Sequence, residues 1–424
     1  MRVLWYANTP CGATEILTGC AVTSGGWLFS LSEQLVKIKG LELHIAFFWG
    51  KELNSFEHNG ITYHPVYREG EGRKIGRLIN RWRRTHGMSV EKKDLPRLLE
   101  VVKTVKPDLI HIHGSEESFG MISERQLPCP VVISIQGLLN PILFKFYSGF
   151  SRSEISSHEG FMNKLMVSGV RTKEKSISKR ALMELDYYSR IPYVIGRTFW
   201  DKAVSLAMNP QRQYFIVDEI LRSEFYHAKW DKTDFSKPLV LTSTVSYGYY
   251  KGVESVYQVA KILRQAGVSF CWNIIGSNEG DTLVNLSEQK VGMRANELNI
   301  KLLGRKTAAE MVQLMMEADM FVQVSHIENS PNSLCEAMLL GMPIVASYAG
   351  GTASMLDNNV EGRLLQDGEP YSMAGFIMEM ASNFDTAKEM GRRAREKALE
   401  RHDPDRVCNQ LLTTYNAILS EGHV

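Results

Sequence analysis

The sequence is poor in cysteine and pairs none of it. Cys11, Cys20, Cys129, Cys271, Cys335 and Cys408 are scattered, with no Cys-x-x-Cys among them. Structural zinc frames and a disulfide framework both need closer, repeated spacings. Lone thiols fit a reducing cytosol. Long apolar runs are also missing. Nothing approaches the roughly 20 apolar residues of a spanning helix. The opening MRVLWYANTP has too short an apolar stretch for a signal peptide. It reads as a buried first strand, Val3 to Ala7. Charge of one sign is lacking too: 49 Lys and Arg face 47 Asp and Glu, a formal +2. No global basic field points to nucleic acid as a partner. No Gly-x-Gly-x-x-Gly follows the first apolar run, which counts against a Rossmann dehydrogenase. The expectation is a cytoplasmic protein that touches a membrane only at its surface.

What is present is a chain of 424 residues, 44% hydrophobic and 23% charged. That balance is globular, and that length predicts two or three domains. Short apolar runs alternate with amphipathic stretches, as in Leu43–Phe48, Leu109–His113 and Val131–Ile135. After Lys237-Pro238 the alternation restarts, with Leu239–Thr242, Trp272–Ile275, Ile300–Leu303, Met320–Val324 and Ile344–Ala346. Near-continuous apolar strands between helices indicate parallel sheets covered on both faces. The pattern predicts an α/β protein of two doubly wound domains, 1–230 and 236–404, joined by the polar stretch 228–238. Val407, Leu411, Leu412, Tyr415, Ile418 and Leu419 share one face of a closing helix, 405–424.

One segment concentrates the chemistry, residues 320–351. A strand breaks at His326 to Asn329. Ser330 is the expected N-cap, Pro331 the first helical residue, and Gly341 the stop. A strand and then Ala349-Gly350-Gly351 follow. A helix N-terminus after a parallel strand presents free N–H groups and a positive dipole end, a site for a diphosphate. Glu328 before the helix and Glu336 inside it are placed to accept hydrogen bonds from sugar or ribose hydroxyls.

Glu328-Asn-Ser-Pro-Asn-Ser-Leu-Cys-Glu336, with Gly341-Met-Pro and Gly350-Gly351, resembles the motif of family-four retaining glycosyltransferases, of the bacterial polysaccharide type. The resemblance implies the GT-B fold: two Rossmann-like domains facing across a cleft, with the last helix crossing back to the first. It implies that Glu328 lies against the donor sugar and Glu336 on the nucleotide ribose. Ser330, Asn332, Ser333 and Leu334 would hold sugar or phosphate oxygens. Lys251-Gly252 is similar to the family's Lys-Gly, whose lysine neutralises the donor diphosphate. The arginine that usually precedes it is replaced by Val245 and Ser246, and Arg305 is the candidate substitute. Gly25 and Gly26 resemble the glycine loop of the acceptor domain. His111 and His113 match a strand ending in His-Gly; His113 is a candidate sugar or acceptor contact. Gln136 stands where the family often has a histidine against the donor sugar; an amide holds hydroxyls but takes no proton. Arg197 and Asp201 are read as structural.

The implied reaction moves a sugar from a nucleotide diphosphate to a hydroxyl of a glycan or lipid-linked acceptor, with retention and with no metal or other cofactor. Glu328 and Lys251 would act on the reacting groups. Retaining hydrolases use two carboxylates and a covalent intermediate; here the departing phosphate takes the acceptor proton, so Glu328 is no nucleophile. The basic stretch 72–93, with Ile75, Leu78, Ile79 and Trp82 interleaved, suits a helix packed on the acceptor domain or one lying on anionic lipid. The alternatives are another GT-B enzyme, such as a phosphorylase or a nucleotide-sugar epimerase, and a non-catalytic GT-B binding subunit.

Overall fold

The computed structural model describes residues 1–19, 26–69, 91–159 and 169–421. Among them lie two sheets. The first contains β1 (Arg2–Tyr6), β2 (Glu42–Trp49), β3 (Phe56–His58), β4 (Ile61–Tyr67), β5 (Leu109–His113), β6 (Val131–Ser134), β7 (Tyr193–Gly196) and β8 (Gln213–Ile216). Its order is β3-β4-β2-β1-β5-β6-β7-β8, with only β3 antiparallel to its neighbour. The second contains β9 (Leu239–Thr244), β10 (Phe270–Ile275), β11 (Ile300–Leu302), β12 (Met320–Gln323), β13 (Ile344–Tyr348) and β14 (Arg363–Gln366). Its order is β11-β10-β9-β12-β13-β14, all parallel. The expected α/β class and GT-B architecture are present.

Both faces of each sheet are covered, which is why the strands read as unbroken apolar runs. Val3 and Trp5 enter one core of the first domain, and Leu4 and Tyr6 the other. Strand geometry alternates successive side chains between faces. In the second domain Leu241, Trp272 and Ile274 fill one core, while Ile275, Phe321 and Ile344 fill the other. Strand order reverses beside β1 and beside β9. In open α/β sheets those switch points, at the strands' carboxyl ends, are where ligands bind.

The chain passes to the second domain's core earlier than its composition marks. Leu221, Phe225 and Trp230 already pack with Phe321 and Ile344. Trp230 donates its indole N–H to the Ala318 carbonyl at 2.8 Å. At the other end, helix Pro404–Glu421 returns to the first domain. Val407, Leu411, Tyr415 and Ile418 share a core with Trp5. The Tyr415 hydroxyl accepts from the Trp5 indole at 3.0 Å and lies 2.6 Å from His111 Nδ1. Burial, aided by Arg197, pushes His111 down to about 3. Its neutral ring therefore accepts the Tyr415 proton at Nδ1, and Nε2–H turns to Ser134 Oγ. No helix among the described residues is long and apolar enough to cross a membrane. Of the basic stretch 72–93, residues 72–90 lie outside the described residues.

Candidate functional site

The site grows from two glycine turns. Gly252 has φ +76°, and a Cβ there would sit 2.1 Å from the Val324 carbonyl oxygen. Only glycine lets the Lys251 loop lie this close to the exit of β12. Beside it, His326 N–H donates to the Tyr250 carbonyl at 2.8 Å. Gly350 has φ +55°, and its Cβ would fall 2.1 Å from the Glu328 carbonyl oxygen. Gly351 N–H bonds that same oxygen at 2.9 Å. The Gly-Gly pair therefore clamps the Glu328 turn.

These turns bring Lys251 Nζ to 2.7 Å from Glu328 Oε1. Burial works against the Lys251 charge, but the Glu328 carboxylate outweighs it and the ammonium's pKa ends raised. The pair lines a pocket of about 400 Å³ between the domains. Tyr250 and Asn329 share its second-domain wall; Gln136, Arg180 and Trp200 stand on the other. Gln136 is thus placed with Glu328 and Lys251. Its carbonyl lies 3.5 Å from Asn329 Nδ2, and Thr198 Oγ1 donates to Asn329 Oδ1 at 2.9 Å.

The helix that follows β12 is Asn332–Leu340, ending at left-handed Gly341. Ser330 does not cap it. Pro331 is the N-cap, in extended conformation with no side-chain bond, rather than the first helical residue. The Ser330 hydroxyl turns instead to Glu219, whose buried carboxylate Arg197 and Arg401 keep charged against the cost of burial. Leu334 is a correction as well. Its side chain is fully buried, and its N–H is spent on the Pro331 carbonyl at 3.0 Å. Asn332 and Ser333, both half-buried, are left to present the helix's first N–H groups.

Glu336 is buried and held by Arg222, a residue that carries no mark in the sequence. Arg222 Nε and Nη2 each donate to one of its oxygens at 2.7 Å. Burial raises the Glu336 pKa although Arg222 opposes it. Two of a carboxylate's roughly four acceptor positions are then filled. Gly26 opens helix Gly26–Leu35, and a Cβ on it would come within 3.0 Å of Arg222 Cγ. Arg222 thus stands between Gly26 of the first domain and Glu336 of the second. Gly25 lies outside the described residues.

Two expectations fall elsewhere. His113 does not line the pocket. It is buried 3.8 Å from the His111 ring and 4.4 Å from Trp5, and burial holds its pKa well down. Its role is packing, because the strand face it shares with His111 turns inward. Arg305 is exposed after the edge strand β11, outside the pocket lining. Asp201 closes a capping box with Thr198, and Arg197 lies over Trp27 and pairs with Glu219, so both are structural. Glu219, Cys335 and His402 have ligand atoms within 4.8 Å of one another. The set does not fit a cation: Arg197 and Arg401 already serve Glu219, and burial pushes the Cys335 thiol well up.

Glu116 is a second site residue that the sequence does not announce. It lines the pocket, and burial, with Glu184 nearby, pushes its carboxyl up to about 7 against the pull of its own N–H, the Gly137 N–H and the Arg180 charge. Its sequence context, Ser-Glu-Glu after a strand, gives no sign of burial.

The sequence model for glycosyl transferases group 1 matches residues 227–397. The amylovoran biosynthesis glycosyltransferase AmsK of Erwinia amylovora is 29% identical over 153 residues, 34% of this chain and 36% of that protein. The chain thus spans about a third of that curated relative's length. Among solved structures, sucrose-phosphate synthase of Thermosynechococcus elongatus superposes with TM-score 0.72 at 14% identity, covering 99% of both chains. Anabaena HepE, solved with UDP and glucose, reaches 0.65 at 16% identity, covering 98% of this chain and 100% of that one. At such identities the likeness is one of fold.

Proposed function

We propose, from the GT-B fold and the match of residues 227–397 to the group 1 glycosyl transferases, that this protein transfers a sugar from a nucleotide diphosphate to a hydroxyl of a glycan or lipid-linked glycan. The observation that carries the reading is the Lys251–Glu328 pair, 2.7 Å apart in the pocket between the domains. The developing negative charge is on the leaving diphosphate. Lys251 and the first N–H groups of helix Asn332–Leu340 are donors already in place for it, and fixed donors aimed at developing charge usually lower such barriers more than any other device. Glu328 holds the sugar being moved, and Glu336, shared with Arg222, holds the ribose. Retention follows if the departing phosphate takes the acceptor proton on the face it leaves. The step draws on no metal. Surface-polysaccharide synthesis is the setting we favour, supported by the named role of AmsK in amylovoran biosynthesis. A cytoplasmic enzyme in peripheral contact with anionic lipid is part of the same proposal, supported by the basic stretch 72–93.

The test is a thermal-shift panel of UDP, GDP and dTDP sugars, followed by turnover with the stabilising donor. Glu328→Ala should lose about 100-fold or more in transfer while keeping its melting temperature, the scale of losing one transition-state contact. Stabilisation by no nucleotide sugar, or wild-type turnover in Glu328→Ala, refutes the proposal.

A further inference from the structure

The first-domain wall of the pocket carries a carboxyl group that the reaction above does not use. Glu116 follows β5 on the turn made by Gly114. Two glycines leave it room: a Cβ on Gly114 would fall 2.1 Å from Glu116 Oε2, and one on Gly137 would fall 3.1 Å from Oε1. One oxygen is anchored, since Gly137 N–H donates to Oε1 at 2.9 Å. The other, Oε2, is buried and has no hydrogen-bond partner among the described residues. A buried oxygen without a partner costs stability and calls for an explanation.

The support beneath it is rigid. Buried Glu184 accepts from Ser115 Oγ at 2.5 Å, from Leu139 N–H and Asn140 N–H at 2.9 Å each, and from Asn140 Nδ2 at 2.7 Å. One carboxylate thus ties the loop after β5 to the loop after β6, and Glu116 and Gln136 ride on those two loops. Across the pocket stand Lys251 and Glu328. A site of a few hundred Å³ with a few fixed polar groups suits a small polar ligand.

We propose that Glu116 is the sugar-reading residue of the first-domain wall: its free Oε2 takes hydroxyls of the transferred sugar from the side opposite Glu328. This rests on the sugar-transfer reading of the site. A carboxyl near neutrality, set by burial and by Glu184 and Arg180 around it, accepts from a hydroxyl when ionised and donates to one when protonated. It reads the sugar and not the nucleotide, because the nucleotide's contacts, Glu336 and the helix N-terminus, belong to the other wall.

The experiment measures dissociation constants of the whole protein for UDP-glucose, GDP-mannose and dTDP-glucose and for the bare UDP, GDP and dTDP. Glu116→Ala should weaken the nucleotide sugar that the wild type binds by about tenfold or more, the loss of one or two hydrogen bonds to a carboxyl. The bare nucleotide should change by less than about twofold, which also reports an intact fold. Glu116→Gln, equal in shape, should fall between wild type and alanine. If sugar and bare nucleotide weaken together, or neither weakens, Glu116 reads no sugar and the proposal alone falls. If the wild type binds none of the three nucleotide sugars, the proposal falls together with the transfer reading.

Discussion

Replacing Arg222 by methionine removes the guanidinium that holds Glu336 through two 2.7 Å bonds. Methionine keeps an aliphatic stem beside Gly26. The Glu336 side chain is 3% exposed and that of Arg222 22%, so the charge left behind has little access to water. Breaking a buried pair from one side costs about 3–5 kcal/mol. A domain of this size melts about 2–4 °C lower per kcal/mol, so the second domain's transition should fall on the order of 10 °C. The deficit depends on pH. Burial already raises the Glu336 pKa with Arg222 in place, and losing Arg222 raises it further. A carboxyl with a folded pKa above its unfolded value binds more protons when native. Its contribution is full below the ordinary glutamate range and is lost as pH rises through the folded value. The variant should therefore lose more at about pH 8 than at about pH 5. Calorimetry at both pH values reads this directly. Arg222→Met with Glu336→Leu should regain most of the loss, because no charge stays buried. A melting temperature unchanged at both pH values, or a loss equal at the two, would refute the reasoning.

Two further outcomes follow from single contacts. Gly350→Ala places a methyl 2.1 Å from the Glu328 carbonyl oxygen, and a displacement of about 1 Å at a reacting group can cost about 100-fold in rate; initial rates near wild type would show that the clamp is dispensable. Tyr415→Phe leaves the buried Trp5 N–H and His111 Nδ1 without their partner, at a cost of about 1–3 kcal/mol. Calorimetry should show that loss with nucleotide binding unaltered, and an unchanged transition would show that the hydroxyl ties nothing down.

What sequence makes legible here is what is local. The apolar runs and the turn residues give the two sheets, because burial on both faces and positive φ leave marks in consecutive residues. Glu328, Gly350 and Gly351 are within one stretch, and the structure brings them together with Lys251. Arg222 is invisible in the sequence because its partner lies 114 residues away and nothing in Leu-Arg-Ser marks a buried fork. Glu116 is invisible because its raised pKa comes from folding the loops after β5 and β6 over it. Ser330 looks like a cap on local grounds, and a long-range partner, Glu219, outcompetes the helix for its hydroxyl. His113 shows the reverse error: a residue type that suits substrates, placed on the strand face that turns inward.

The return of helix Pro404–Glu421 has a consequence for biosynthesis. Trp5 is synthesised 410 residues before Tyr415, yet the hydroxyl that satisfies its indole belongs to Tyr415. The described strands of the second sheet end at Gln366 and the helices that complete its cores end at Arg401, so that domain can close while the earlier-made one still exposes the face Leu411 and Ile418 will cover. The order of synthesis and the order of completion are reversed. An unfinished chain therefore carries a finished second domain beside an open first domain, and translation stalled before Tyr415 should yield a species that chaperones hold.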